Sequence, residues 1–234
     1  MKKEDETFNS IKHHVSAKIS VDCVIFDYDD KELRILLIKE EDAYKNISWS
    51  LPKKWIEKEN TIESTAIKVV KEYTGADYFF MEQLKAFDHA SQSSSSEDIS
   101  IGYYALVKNE KINCVNRNDD FVWCNSNAVP YLNYNQNIIF DFSLKQLRNH
   151  ICYTAIGFNL LPQKFTLLQV IHLYEAILGI EVDKSNFRRK ILQLGLIMDL
   201  NEKEKNVSHR AAKLYKFKEE SHINGMAIGL NFKF

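Results

Sequence analysis

The chain has 234 residues, 45% of them hydrophobic and 27% charged, with a formal net charge of -1. That composition supplies apolar material for one large core or two modest ones, excludes a disordered polyampholyte, and lacks the overall positive charge that would by itself mark a polyanion binder. No run approaches the roughly 18 consecutive apolar residues that span a bilayer, so no membrane partner is expected.

The charge is unevenly placed. Residues 151–234 hold 12 Lys+Arg against 8 Asp+Glu, and residues 1–150 hold 19 against 24, so a net of +4 follows a net of -5. A basic end that meets a polyanion, attached to an acidic unit with another task, fits this asymmetry. The first residues, MKKEDETFNSIKHHVS, are charged with no apolar segment behind them, which predicts no signal peptide and a cytoplasmic protein. His13 and His14, adjacent in a polar terminus, read as solvent-exposed rather than as metal ligands. Cys23, Cys114, Cys124 and Cys152 are widely spaced, with no C-x-x-C and no His pair at ligand spacing, so reduced thiols and no metal or cofactor are expected.

In chain order, ISVDCVIFD (19–27) predicts a largely buried strand, YDDKE a turn, and LRILLIK its neighbour. Asp22 sits inside the first of these. A carboxylate there must be hydrogen-bonded within the fold or line a polar pocket, because an unpaired buried charge is costly. Residues 48–61 read as a loop into a helix that starts near Asn60 and Glu63, carries Ile62, Ala66, Val69, Val70 and Tyr73 at helical spacing, and ends at Gly75. Met81 to Asp88 and Ile99 to Val107 predict two more strands, joined by the serine-rich HASQSSSSED, a linker or a lid. Tyr103 and Tyr104 must point to opposite faces, leaving one for the core and one for a ligand. FVWC (121–124) predicts a short strand in which Trp123 packs. Ile138 to Arg148 predicts a helix that connects two domains and contributes to a dimer contact.

The remaining chain has the outline of a helix-turn-helix. Thr166 caps a first helix with Gln169 completing a capping box, Leu167, Val170, Ile171, Tyr174 and Leu178 form its stripe, and Gly179 ends it. Asp183 caps a second helix that Gly195 closes. Phe187, Ile191 and Leu194 fall on the buried side of that helix. Ser185, Asn186 and Arg189 then face outward towards base edges, with Lys184, Arg188 and Lys190 placed for phosphates. The following LIMDLNEKEKNVSHRAAKLYKF predicts a hairpin, the wing, with His209, Arg210 and Lys213 as backbone contacts.

Two resemblances follow from these residues. The loop, helix and glycine before Gly75 resemble the Nudix box, G-x5-E-x7-R-E-U-x-E-E-x-G. Counted back from Gly75, Lys54 stands at the first glycine, Asn60 at the first glutamate, Lys68 at the arginine, and Val69, Glu72 and Tyr73 at the later acids. Of the box's charged framework only Glu72 stands unchanged. Nudix hydrolysis needs several carboxylates on one helix face to hold divalent cations, so no enzymatic activity is expected. The blocks FNLLPQKFTLLQVIHLYEAILG, DKSNFRRKILQLGLI and HRAAKLYKF are similar to the C-terminal winged helix of the Nudix-related regulators called NrtR, nearest to the AraR-type sugar regulators of Bacteroidetes.

That resemblance implies an α+β protein with an N-terminal Nudix-like α/β/α domain (14–142), a winged helix-turn-helix domain (143–218) and a C-terminal tail (219–234). It also implies a homodimeric repressor that binds a double-stranded DNA operator and releases it when a small effector binds. Topology points to Asp22, Glu72 and Asp88 as hydrogen-bonding carboxylates in the effector cleft, Phe87 and Tyr103 as aromatic flanks, and Lys54, with Lys53 and Lys68, as partners for any phosphate. An aromatic wall with carboxylates suits a sugar or nucleotide sugar, and the AraR-type resemblance favours a pentose such as L-arabinose. ADP-ribose or a related nucleotide is the alternative, and a hydrolase of nucleoside diphosphates is the competing class.

Overall fold

Nine of the ten residues of β1 (Ile19–Tyr28) are buried, with Val21, Cys23 and Ile25 entering one apolar cluster and Val24, Phe26 and Tyr28 another. A strand buried on both faces must lie inside a sheet covered on both sides. The computed structural model describes residues 18–41, 44–88, 98–108, 120–133, 136–205 and 210–218, and β1 is the middle of its seven-stranded mixed sheet. The sheet runs β3 (Ile47–Ser50), β2 (Leu33–Glu41), β1, β6 (Ile99–Leu106), β5 (Phe80–Asp88); β4 (Lys53–Trp55) pairs with the start of β1 and β7 (Phe121–Asn125) with β2. Only the β1–β6 pair among these is parallel. The expectations placed on His13, His14, the tract 89–97, Cys114, His209 and the tail 219–234 lie outside the described residues.

The strands β3 and β4 were read as loop. They are four and three residues long around Leu51 and Pro52, too short for a periodic pattern to show, and pairing with β2 and β1 rather than local preference makes them strands. On one face of the sheet lies α1 (Ile62–Thr74), which buries Ala66, Val69 and Val70 against Val21, Cys23, Ile25, Leu36 and Tyr103. Against the other face pack α2 (Gln136–Ile151), a 3-10 turn (Ile156–Leu160) and α3 (Leu167–Leu178), followed by α4 (Lys184–Gln193) and the hairpin β8 (Ile197–Lys203) and β9 (Lys213–Phe217). The result is a Nudix-like α/β domain followed by a winged helix, as the sequence predicts.

The two parts share one core. Val24, Phe26, Leu33 and Ile35 of the sheet, Leu144, Leu147 and Ile151 of α2, and Phe158, Phe165, Val170, Tyr174 and Phe187 beyond it form a single buried cluster. The boundary expected at 142/143 falls inside α2, which belongs to both. Arg148 near its C-terminal end donates from Nε to the carbonyl of Ile177 at 2.8 Å, and Gln169 of α3 reaches Asp30 at the β1–β2 turn at 3.3 Å.

The N-terminal end of α2 is pinned by a buried polar knot. Asp22, Ser20, Ser100 and Gln136 are all fully buried. Asp22 accepts from the Ser20 hydroxyl at 2.9 Å, from the Ser100 hydroxyl and from the Gln136 amide. The Gln136 side-chain oxygen in turn accepts the Leu51 backbone N–H at 2.7 Å, so one amide ties β1, the β3–β4 turn and α2. Gln136→Ala removes a donor from Asp22 and the acceptor of Leu51. At ~1–3 kcal/mol for each buried group so deprived, it should lower unfolding stability by roughly 2–4 kcal/mol in urea denaturation. A loss under ~0.5 kcal/mol, the range of an unremarkable surface change, would show that the knot does not hold the fold.

Candidate functional site

The two helices of the winged helix form from local chemistry. The Thr166 hydroxyl accepts the Gln169 N–H at 3.2 Å, the Gln169 side chain accepts the Thr166 N–H at 2.8 Å, and Gly179 closes α3 at φ 71°. Asp183 caps α4 through one carboxylate oxygen that accepts the N–H groups of Ser185 and Asn186 at 2.9 and 3.0 Å. Gly195, at φ 65°, follows the last turn in the left-handed conformation that an L side chain avoids.

Phe187 and Ile191 turn α4 inward, and the Phe187 ring meets Tyr174 of α3 edge-on at 5.0 Å. The opposite face is thereby presented to solvent: Lys184, Ser185, Asn186, Arg188 and Arg189 are exposed and Lys190 is half-buried. Arg189 donates to the Asn186 side chain at 2.8 Å, one helical turn back, which holds its guanidinium along the outer face. The i, i+3 spacing of these two residues could have announced that pair.

The wing is tied to the start of α3 by reciprocal backbone bonds between Phe165 and Tyr215 at 2.8 and 2.9 Å. Arg210 is exposed at its turn. Lys213 is also exposed but is held by Asp199 on the facing strand at 2.8 Å, which raises the lysine's pKa and lowers that of the aspartate. The six α4 residues and Arg210 and Lys213 thus belong to one module, with Lys213 partly neutralised by its partner.

The Nudix-like helix departs from expectation at its start. Thr61, not Asn60, is the cap: its hydroxyl accepts the Ser64 N–H at 3.0 Å, while the Ser64 hydroxyl accepts the Thr61 N–H at 2.9 Å. The Asn60 side chain is engaged elsewhere, accepting from Lys68 and donating to Glu57 at 3.1 Å. Val69, at one of the box's acidic places, is 1% exposed, and Tyr73, at another, is half-buried, its hydroxyl pKa raised by desolvation. Glu72 accepts an ammonium proton from Lys54 at 2.9 Å. The Nudix fold implies a divalent cation here, and this donor set does not fit one. A single carboxylate already paired with a lysine cannot supply the oxygen cage a hard ion requires. Among the described residues no three His, Cys, Asp or Glu side chains are grouped to hold a metal.

The six residues expected to line one effector cleft are divided by the sheet. Lys54, Glu72 and Tyr103 lie on the α1 side. Asp22 and Phe87 lie on the α2 side and must be withdrawn from that group. Asp22 is the centre of the polar knot, and Phe87 packs on Phe142 at 5.8 Å and over Gly102, where a Cβ would come within 2.6 Å of its ring. Tyr103 is 4% exposed and its hydroxyl donates to Gln83 at 2.8 Å, so both tyrosines of that strand are core residues rather than one being free for a ligand. Asp88 is exposed at the end of β5. An open cleft of about 930 Å³ lies where the outer side of α1 (Glu63, Ile67, Lys71) faces Phe158, Lys216 and Phe217 of the winged helix, and none of the expected effector residues lines it. Sequence patterns could not have found it, because its walls meet only in the tertiary fold.

Comparison with known proteins matches residues 157–217 to the NrtR DNA-binding winged helix domain. Over 207 residues the chain is 26% identical to an ADPR responsive transcriptional repressor NtrR of Acinetobacter baylyi, covering 86% of this chain and 82% of that one. Among solved structures, Shewanella oneidensis NrtR complexed with a 27mer DNA aligns with a TM-score of 0.74 at 24% identity, covering 87% of this chain and 94% of that one. A MutT/nudix family protein from Enterococcus faecalis aligns at 0.64 with 19% identity, covering 88% and 89%.

The altered box carries its own test. With Mg2+ or Mn2+ the purified chain is expected to leave ADP-ribose and nucleoside diphosphates intact over hours, as followed by chromatography. Metal-dependent cleavage that Glu72→Gln abolishes would show a working cation site, and cleavage that survives it would show that the box lies elsewhere.

Proposed function

We propose that this chain, a Nudix-like domain joined to an NrtR-type winged helix, is a DNA-binding transcriptional repressor without hydrolytic activity, which lets go of its operator when ADP-ribose or a closely related nucleotide binds. The observation that carries the reading is the outward, cationic face of α4, held off a seam of Phe187 and Ile191, in a chain similar along 86% of its length to an ADP-ribose-responsive repressor. Ser185, Asn186 and Arg189 are the base-reading side chains, and Lys184, Arg188, Lys190, Arg210 and Lys213 hold phosphates. A pair of chains places two such helices in successive major grooves, so the acting species is a homodimer.

The effector's chemistry follows the charge around α1. Lys54 pairs with Glu72, and Lys68, one turn before Glu72 on α1, reaches Asn60, so this side of α1 offers ammonium groups suited to a phosphorylated ligand. Of the carboxylates and rings offered for a sugar, Asp22 and Phe87 face the other side of the sheet. L-arabinose, suggested by the resemblance to the AraR-type regulators, is therefore the second reading. A ligand releases DNA only as far as it prefers the arrangement in which the two reading helices are misplaced.

Fluorescence anisotropy with duplexes from the gene's upstream region tests both parts. Affinity should fall steeply with rising salt. Arg189→Ala should abolish the preference for the specific site, whereas Arg188→Ala should weaken all duplexes alike and reduce the salt slope by about one. ADP-ribose should release the bound duplex and L-arabinose should not. Indifference to duplex DNA would overturn the regulatory reading, and release by arabinose alone would overturn the choice of effector.

A further inference from the structure

We infer that the Lys54 ammonium stands in for the divalent cation of the Nudix fold and itself meets the effector's phosphates, so that effector binding needs no metal; this rests on the nucleotide reading above. Antiparallel pairing sets Lys54 opposite Val21, and the alternation of β4 therefore aims it at the layer occupied by α1. There its Nζ lies 2.9 Å from Oε2 of Glu72, on a helix whose other acidic places hold Val69 and Tyr73.

Lys68 is one turn before Glu72 and shares its face, with its ammonium on the Asn60 side chain. The box has thus exchanged acids for other groups: Lys54, at the place of its first glycine, pairs with Glu72, while Lys68 keeps the positive charge of the box's arginine and reaches Asn60. A metal ion approaching Glu72 would meet the Lys54 ammonium already paired with it and, at the box's other acidic places on the helix, Val69 and Tyr73 in place of carboxylates. An anion meets the reverse situation. An ammonium has three donors, and Glu72 takes one from Lys54, which leaves two for phosphate oxygens. Both Lys54 and Glu72 keep a substantial part of their side chains in solvent, at 39% and 48% exposure, so a ligand can reach them without unfolding the helix.

Glu72 separates the two possibilities. As a metal ligand it would be essential, whereas as the counter-ion of Lys54 it competes with the phosphates. Calorimetric titration of the full chain with ADP-ribose, in EDTA and again in Mg2+, should give dissociation constants within about threefold of each other. Lys54→Ala should weaken binding at least tenfold, Lys54→Arg should retain most of it, and Glu72→Gln should leave it unchanged or tighten it. Circular dichroism on each variant reports whether the fold is intact, and Mn2+ electron paramagnetic resonance should detect no ion bound to the wild-type chain. ADP-ribose that binds only with Mg2+, or Glu72→Gln that abolishes binding in a folded protein, overturns the inference while leaving the regulatory reading standing. ADP-ribose that binds in EDTA through Lys54 yet leaves the duplex bound supports the inference and counts against the regulatory reading. Failure to bind under either condition, or binding indifferent to Lys54→Ala, overturns the inference.

Discussion

A carboxylate buried in the first strand must be satisfied, and the way this chain satisfies Asp22 organises the rest. Its partners come from β1 itself, from β6 and from the first residue of α2. Because Gln136 is a bidentate amide, the group that quiets Asp22 with its NH2 also receives the Leu51 N–H with its oxygen. A single side chain therefore sets where α2 begins and where the β3–β4 turn lies. α2 then carries that placement along its length to α3 through Arg148 and the buried Leu147 and Ile151. The position of the winged helix is thus referred back to a buried polar contact in the sheet.

The α1 side of the same sheet shows a helix kept for its packing while its charges changed. Val69 joins Ala66 and Val70 in the apolar stripe, and Tyr73 packs against that cluster. Each acid lost from a metal-binding face removes a desolvation cost that only a bound cation would offset. Lys54, reaching across from β4, pairs with the acid that remains, Glu72.

What was legible beforehand is what short-range chemistry decides. The Thr166–Gln169 box, the Asp183 cap and the left-handed glycines Gly179 and Gly195 each involve residues within a turn of one another, and each is found as expected. The period-two and helical patterns mark the long strands and the four α-helices of the described residues. The helix start at Asn60 was one residue out because two adjacent polar residues competed for the cap and Lys68 claimed one of them. The expected effector group is split across the sheet for a different reason. Asp22 and Phe87 were gathered with Lys54 and Tyr103 by chemistry, but the face a residue takes depends on strand register, and register comes from partners distant in sequence. The Asp30–Gln169 contact, 139 residues apart, and the walls of the cleft beside α1 have no local signal at all.

The common core of sheet and winged helix limits what evolution can do with these parts. A reader module on a flexible tether can be moved to a new sensor by recombination at the linker. Here α3 and Phe158 belong to the same buried cluster as Val24, Phe26 and Ile35, so a graft would expose apolar surface on both fragments unless the seam were redesigned with it. Change confined to exposed side chains, such as those on the outer face of α4, leaves that seam intact.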